Sequence, residues 1–118
     1  MKNAAGRVVA QPYFVYSPDF DVIAFAAMWS IWERPGALPV VSSALLSKAA
    51  APSIAHIHHR MPIVLKPAQF DVWLSAETRA SDVQHLMVNP LEDFEGYPVN
   101  TRVNSARNTG HELITRLD

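Results

Sequence analysis

The sequence from Ala55 to Leu65 reads A-H-I-H-H-R-M-P-I-V-L, and the organisation of the chain can be worked out from it. Its second half, Met61 to Leu65, has the length and the branched side chains that are typical of a buried strand. Pro62 has no backbone N–H, so it suits the start of that strand or an edge of a sheet. The stretch therefore predicts a core strand that is entered through a polar segment.

The polar segment contains three histidines and an arginine. If it is extended, His56, His58 and Arg60 alternate and share one face, while His59 points the other way. An imidazole beside a guanidinium can exchange protons near neutral pH while the cation holds an anion. This arrangement indicates chemistry on a phosphate-bearing substrate.

Two other interpretations of the histidines stay open. Polar residues before a strand are often a solvated loop. His56 and His58 could both bind zinc, but a zinc site needs three or four ligands, and the chain has no cysteine and no H-E-x-x-H motif. The sequence therefore predicts no metal site and no cofactor.

Composition limits the class of protein. The chain has 118 residues, of which 49% are hydrophobic and 18% charged, which predicts one small folded domain. A net charge of −1 means that any anion must be bound by a local patch. The absence of cysteine excludes disulfides and thiolate nucleophiles. The apolar run Val22 to Trp29 is too short to span a bilayer and residues 1–10 have no signal-peptide core, so we expect a cytoplasmic protein.

Three further segments predict strands. Tyr13 to Tyr16 is short and aromatic, and Ser17-Pro18-Asp19 ends it with a turn signal. Val22 to Trp29 is apolar on both faces, so as a strand it would be covered on both sides. Its alanine and methionine also suit a helix, which is the alternative. Val40 to Leu46 predicts another strand.

Two short helices are predicted after the histidine stretch. In the first, Pro67 to Leu74, Pro67 suits the first helical position, and the apolar residues Phe70, Trp73 and Leu74 lie on one face. In the second, Ser81 and Gln84 could form a capping box, and Asn89-Pro90 would end the helix. Its buried stripe would consist of Val83, Leu86 and Met87.

The remaining segments complete a prediction of the α+β class. Residues 1–11 are expected to be a flexible leader. Leu91 to Gly96 is expected to be a solvated acidic loop, Tyr97 to Val103 an extended segment, and Glu112 to Leu117 a final helical turn.

Three motifs resemble those of one family. I-H-H-R-M-P-I-V-L, at Ile57 to Leu65, resembles the I-H-x-R-M-P-x-x-L signature of the SRAP family, the SOS-response-associated peptidase domain. F-A-A-M-W, at Phe25 to Trp29, is similar to its F-A-G-L-W. Y-P-V-N-T-R-V-N, at Tyr97 to Asn104, is similar to its Y-P-V-x-x-x-V-N. The resemblance runs in order over most of the chain and implies a mixed or antiparallel barrel-like sheet with short peripheral helices.

The resemblance also implies a function in the DNA damage response. The family is thought to recognise abasic sites in single-stranded DNA and to crosslink to them through a cysteine that follows the initiator methionine. By motif position, His58 matches the catalytic histidine and Arg60 an arginine that contacts the DNA backbone. Ser47 matches, by spacing, a threonine at the end of the preceding strand. A family glutamate, in a G-x-x-E-W motif, and an asparagine support the same site.

Departures from the family pattern are as informative as the matches. Residue 2 is Lys2, the chain has no cysteine, and no G-x-x-E-W segment is present. Residues 1–118 therefore resemble the C-terminal part of a single SRAP domain, an incomplete form that we expect to be inactive by itself as a peptidase or crosslinking lyase. A misassigned start, a decaying gene and a half-domain that pairs with another chain would each account for this.

Alternative functions follow from the same residues. A non-catalytic module could bind single-stranded DNA through Arg60 and nearby bases, with aromatic side chains as stacking surfaces. The candidate bases are Lys48, Lys66, Arg102 and Arg107, and the candidate aromatics are Trp29, Trp32 and Tyr97, with a core position expected for Trp29. An unrelated histidine-dependent or metal-binding protein is the third hypothesis. Uncovered strand edges and apolar faces predict self-association, or a need for the missing N-terminal half.

Overall fold

The structure, a computed structural model, describes residues 6–118. In chain order, the strands are β1 (Tyr13–Tyr16), β2 (Ala24–Phe25), β3 (Ala27–Trp32), β4 (Val40–Leu45), β5 (Ser47–Ala49), β6 (Arg60–Pro62), β7 (Val64–Leu65) and β8 (Glu95–Pro98). The α-helices are α1 (Phe70–Leu74) and α2 (Ala80–Val88), and short 3-10 helices occupy Pro67–Gln69, Thr101–Asn104 and His111–Ile114. Every ladder is antiparallel: β1 pairs with β8, β2 with β7, β3 with β4, and β5 with β6. The α+β class is confirmed, and the strands of residues 6–118 form no closed barrel.

Three strand breaks, two of them buried and one partly buried, meet at one point and join the ladders. Ala26 separates β2 from β3, Leu46 separates β4 from β5, and Ile63 separates β6 from β7. The N–H of Ala26 donates to Ile63 O (2.8 Å), that of Ile63 to Leu46 O (2.9 Å), and that of Leu46 to Ala26 O (3.0 Å). Because each backbone group that leaves a ladder finds a partner in this ring of hydrogen bonds, the chain can bend here without unpaired buried groups.

The strand predicted at Met61 to Leu65 forms the centre of the molecule. Met61 and Val64 pack into one cluster with Ala51, Ile54, Leu91 and Phe94. Ile63 and Leu65 pack into a second cluster with Ala26, against which Leu46, Phe70, Trp73 and Met87 lie. The prediction of a buried strand is confirmed, with the difference that the break at Ile63 divides it into two pieces.

The segment from Val22 to Trp29 departs from its prediction. It is extended, so the helical alternative is wrong, but it is not covered on both sides: Val22 is 85% exposed and Trp29 71% exposed. The two helices pack on the Ile63 and Leu65 side, which leaves the β3–β4 hairpin uncovered. The radius of gyration is 18.2 Å, against about 13 to 14 Å for a compact chain of this length. The hairpin therefore extends away from the core.

The helix predictions hold in outline. The first helix begins with Pro67 in a 3-10 turn and continues as α1 to Leu74. The second ends at Val88, before Asn89-Pro90, as predicted, with Leu86 buried on its inner side. The capping box of Ser81 and Gln84 is wrong.

That box fails because α2 begins two residues earlier than the prediction required. Its N-cap is Arg79, and the Arg79 N–H donates to Asp82 Oδ2 at 3.2 Å. A carboxylate three residues into the helix therefore caps it.

Three other expectations need correction or limits. The segment Leu91 to Gly96 is not a solvated loop, because Leu91 and Phe94 are buried. Extended structure over Tyr97 to Val103 ends at Pro98, and the Asn100 side chain then accepts from the Arg102 N–H (2.9 Å) to start a 3-10 turn.

The predicted leader lies partly outside the described residues, which begin at residue 6. Within it, the Gln11 side chain donates to Val99 O at 2.8 Å, so the end of this segment is anchored to the fold. The final helical turn predicted over Glu112 to Leu117 is confirmed in part: a 3-10 turn occupies His111–Ile114, and the chain is extended after it, where Arg116 forms an antiparallel bridge with Val99.

Candidate nucleic-acid interface

The β5–β6 ladder brings Ser47 and Arg60 together. Arg60 lies opposite Ala49, and Ser47 is two residues along β5, on the same face of the strand. The Arg60 guanidinium donates from Nη2 to Ser47 Oγ at 2.9 Å. Both side chains are exposed, so the remaining N–H groups of the guanidinium are open to solvent. The sequence match of these two residues thus corresponds to a direct contact.

His58 is held by the backbone of Arg60. The Arg60 N–H donates to His58 Nδ1 at 2.9 Å, which in the neutral ring leaves the proton on Nε2. The Arg60 carbonyl oxygen lies 3.1 Å from the same nitrogen and can accept from it when Nδ1 is protonated. These two contacts with the Arg60 backbone fix the orientation of the His58 ring through Nδ1.

The predicted alternation of the histidines is only partly present. Residues 52–57 form turns, so His56 does not share a face with His58. His56 instead makes an edge contact with the Tyr13 ring, at 6.0 Å between centroids. His59 stacks on His58, with the rings 4.5 Å apart and inclined by 18°. The site therefore contains His58 and Arg60 but not His56.

A depression of about 230 Å³ lies beside these two residues. His58 and Arg60 are its charged or titratable lining residues, and the rest of the lining is apolar: Val15, Ile23, Phe25, Ile54, Ile57, Met61, Pro62, Val64 and Phe94. The contributions of Val15 and Phe94 were not predicted. In Y-F-V-Y, the alternation of a strand places the Val15 side chain on the opposite face from Phe14 and Tyr16. The pairing of β1 with β8, which brings Val15 to the depression, is a long-range contact that this local pattern does not predict.

The other predicted DNA-contacting residues are distributed over the surface. Lys48 forms an ion pair with Glu92, and Lys66 and Arg102 are exposed. Trp32 is exposed on the hairpin, with the Arg34 guanidinium 4.9 Å from its ring centroid. Trp29 is exposed on the same hairpin, so its expected core position is wrong.

No group of three or more histidine, cysteine, aspartate or glutamate side chains is arranged to hold a metal ion among residues 6–118. None of the helices described is long and apolar enough to cross a membrane.

The protein is thus an antiparallel α+β fold in which a histidine and an arginine line an apolar depression, and a serine contacts the arginine. The sequence pattern of the SOS response associated peptidase (SRAP) family matches residues 2–106. The chain belongs to the SRAP family.

Characterised relatives are named for the processing of abasic sites. The chain is 30% identical over 129 residues to the abasic site processing protein HMCES of Gallus gallus, covering 92% of this chain and 38% of that protein. It is 30% identical over 108 residues to YedK of Escherichia coli, covering 88% of this chain and 48% of the relative. It is 28% identical over 96 residues to YoqW of Bacillus subtilis, covering 80% and 43%. The chain spans less than half the length of each of these relatives.

A solved structure supports the fold. A protein from Bacteroides thetaiotaomicron superimposes with a TM-score of 0.76 at 17% sequence identity, over 91% of this chain and 48% of the other. This likeness concerns the fold.

Proposed function

We propose that this chain takes part in abasic-site processing, and that single-stranded DNA is the ligand of the surface formed by Ser47, His58 and Arg60. The observation that carries the proposal is the pair of contacts by which Arg60 touches both other residues, through its side chain to Ser47 and through its backbone to His58. Membership of the SRAP family, whose relatives are named for abasic sites, supports the choice of DNA.

Arg60 is proposed to hold a phosphate of the strand. A guanidinium presents five N–H donors in a fixed plane, and Ser47 Oγ engages only Nη2, so donors remain for a bidentate contact. The Ser47 contact also restricts the rotamers of a flexible side chain. The phosphate would then bind to an arginine that is already oriented.

His58 is proposed to move a proton at the abasic sugar. Opening the sugar ring requires a proton at the ring oxygen and removal of one from the hydroxyl group, and an imidazole can do both near neutral pH. The contacts of Nδ1 with the Arg60 backbone hold the ring in one orientation, and Nε2 is the nitrogen proposed to exchange the proton. The adjacent apolar depression would take the sugar, which lacks a base.

The chain contains no cysteine, so we propose that it forms no thiol-dependent crosslink by itself. This favours a second candidate, a module that binds single-stranded DNA without catalysis. The 118-residue chain, incubated at neutral pH with abasic single-stranded DNA and without a reductant, should give no adduct that survives denaturation. A shifted band that survives would contradict this part of the proposal.

A further element of the proposal concerns the β3–β4 hairpin. Its strands carry no charged residue between Ala27 and Trp32 or between Val40 and Leu45, and both of its faces are apolar and exposed. Natural sheets usually protect such edges with charges. We propose that the isolated chain covers this hairpin by self-association, in an assembly that stands in for the rest of a barrel-like SRAP sheet.

A cytoplasmic location stays a prediction.

The test of DNA binding compares two arginines. Fluorescence anisotropy of a labelled single-stranded oligonucleotide with one abasic-site analogue gives the affinity at several salt concentrations. Arg60→Ala should weaken binding and reduce the slope of log K against log salt by about 0.7, the value for one phosphate contact with a single strand. Ser47→Ala should weaken binding less, because it removes only the positioning contact.

The matched control is Arg79→Ala, which removes an exposed arginine side chain at the N-cap of α2 that lines neither of the two depressions. Its affinity and slope should equal those of the wild type. If Arg60→Ala leaves both quantities unchanged as well, Arg60 has a structural role and the proposed phosphate contact is wrong.

A further inference from the structure

The β1–β8 ladder carries an aromatic surface that the site above does not use. Phe14 lies opposite Tyr97, and Tyr16 lies opposite Glu95. The Phe14 ring is 5.5 Å from that of Tyr97 and 6.2 Å from that of Tyr16, and the two tyrosine rings are 6.0 Å apart. All three rings remain partly accessible. Such a group of rings is a stacking surface for a planar ligand.

A cation lies beside these rings. The Leu117 N–H donates to Pro98 O at 2.9 Å, and Arg116 pairs with Val99, so the end of the chain runs along β8. The Arg116 guanidinium carbon is 5.6 Å from the Tyr97 ring centroid. Arg116 lies beyond the residues 2–106 that match the family.

A depression of about 300 Å³ opens next to the rings and the cation. It is lined by Tyr16, Ser53, His56, Phe94, Glu95, Gly96, Tyr97 and Arg116. The Tyr16 hydroxyl donates to the Glu95 carboxylate, and the Tyr97 hydroxyl donates to Ile114 O at 2.7 Å. Because both hydroxyl groups are engaged, the orientation of both rings is fixed before any ligand binds.

This depression is adjacent to the one beside His58. Phe94 lines both of them. The turn that precedes β6 separates them, with Ser53 and His56 on one side and Ile54 and Ile57 on the other. One extended ligand could therefore occupy both.

We infer that this depression binds one nucleotide, the neighbour of the abasic residue in a single strand, through base stacking on Tyr97, an edge contact with the Tyr16 ring, which is inclined by 55° to that of Tyr97, and a phosphate contact with Arg116. The inference rests on the proposed function. The Glu95 carboxylate accepts hydrogen bonds, so it favours a base with an exocyclic amino group, such as cytosine, over thymine, which has none.

The mixture of groups argues against simpler ligands. Glu95 shares the lining with Arg116 and repels a bare anion, so inorganic phosphate should bind poorly. A purely apolar ligand would displace water from the polar groups of His56 and Arg116 without replacing its hydrogen bonds. A nucleotide supplies a planar face, an amino donor and a separate anionic group.

The first experiment measures binding of oligonucleotides in which the abasic analogue is flanked by deoxycytidines or by thymidines. The wild type should prefer the deoxycytidine flank. Arg116→Ala should weaken binding to it about tenfold, the effect of losing one stacked and charged contact. Arg79→Ala should leave it unchanged. Binding weakened by Arg60→Ala but not by Arg116→Ala would overturn the inference and leave the proposed function standing.

The second experiment uses deoxycytidine monophosphate as the probe and the amide resonances of the isotope-labelled chain as the readout. We expect shifts at Gly96, Tyr97 and Arg116 that thymidine monophosphate produces more weakly and inorganic phosphate does not produce. Equal shifts with inorganic phosphate would reduce the site to an anion patch, and no shifts at these residues would overturn the inference even if DNA binds at Arg60. Saturation by the free nucleotide without any binding of DNA would identify a free-nucleotide site and overturn the placement on a strand.

Discussion

The β3–β4 hairpin and the strand at residues 61–65 have similar sequences and opposite environments. Both are rich in branched apolar side chains, yet Ile31 in the hairpin is 48% exposed while Ile63 is 3% exposed. The difference is what packs on them. Helices α1 and α2 and the turn before β6 cover residues 61–65 on both sides, whereas the hairpin has only its own two strands. Apolar content therefore predicts which strands need a packing partner, but not which strands this chain packs against its own helices and turns.

The largest expected effect comes from truncating the same residue type in the two regions. Ile63→Ala removes packing from a filled core and should lower the free energy of unfolding by about 2–5 kcal/mol, with Ile63→Val at about 0.5–1.5 kcal/mol. At protein concentrations low enough to keep the chain monomeric, Ile31→Ala should change it by about 0.5 kcal/mol or less, because the side chain has few neighbours in the single chain. Denaturant titration followed by circular dichroism measures all three.

Equal losses at the two isoleucines would contradict the comparison. They would mean that the hairpin is packed in solution, through association or through a different arrangement of the chain. Repeating the titration at several protein concentrations separates the two causes, since only association makes the Ile31→Ala loss depend on concentration.

Local signals in the sequence predicted much of the fold. Tyr13–Tyr16 was predicted with its correct bounds, Pro67 and Asn89-Pro90 marked the ends of helices, and the branched residues at 61–65 marked the core. The breaks at Ala26 and Ile63 could not be predicted, because they depend on hydrogen bonds between segments far apart in sequence.

The candidate site shows the same division. The motif selected His58 and Arg60, but the backbone contacts that orient the His58 ring require the turn at residues 52–57. His56 was placed on the wrong face for the same reason. Arg116 gave no signal at all, since its position beside Tyr97 follows from a single backbone pairing with Val99.

An intermediate effect is expected when charge is placed on the hairpin. Ile31 and Val41 lie directly opposite each other, so Ile31→Lys combined with Val41→Glu gives an opposite-charge cross-strand pair that keeps the hairpin intact. If the hairpin mediates self-association, this variant should shift the chain towards the monomer in light scattering after size-exclusion chromatography. Val72→Lys, on exposed α1, is the control and should leave the assembly unchanged. A wild type that is already a monodisperse monomer with a cooperative melting transition would contradict this account.

The smallest expected effect concerns the aromatic surface of β1 and β8. The hydrogen bond to the Glu95 carboxylate, followed by partial desolvation and the negative charge of Glu95, raises the pKa of Tyr16 above its ordinary value of 10.0. Folding favours the neutral phenol of Tyr16. Its contribution to the free energy of unfolding is therefore complete below about pH 10, the pKa in the unfolded chain, and is lost as the pH rises through the higher pKa of the folded state. Glu95→Gln should lower the pKa of Tyr16 towards the ordinary value. The difference in phenolate absorbance between the wild type and Tyr16→Phe reports the titration of Tyr16 alone. If that titration is the same with and without the Glu95 carboxylate, the contact between the two side chains is not formed in solution.

The central claim, that DNA binds at Ser47, His58 and Arg60 and not on the hairpin, is tested most directly by mapping. Amide resonances of the isotope-labelled chain are recorded while a single-stranded oligonucleotide with one abasic-site analogue is added. The account predicts concentration-dependent shifts at these three residues, with the amides of β3 and β4 unaffected once self-association is held constant. Shifts confined to the hairpin, around Trp29 and Trp32, would contradict it and would identify the exposed β3–β4 hairpin as the DNA-binding surface.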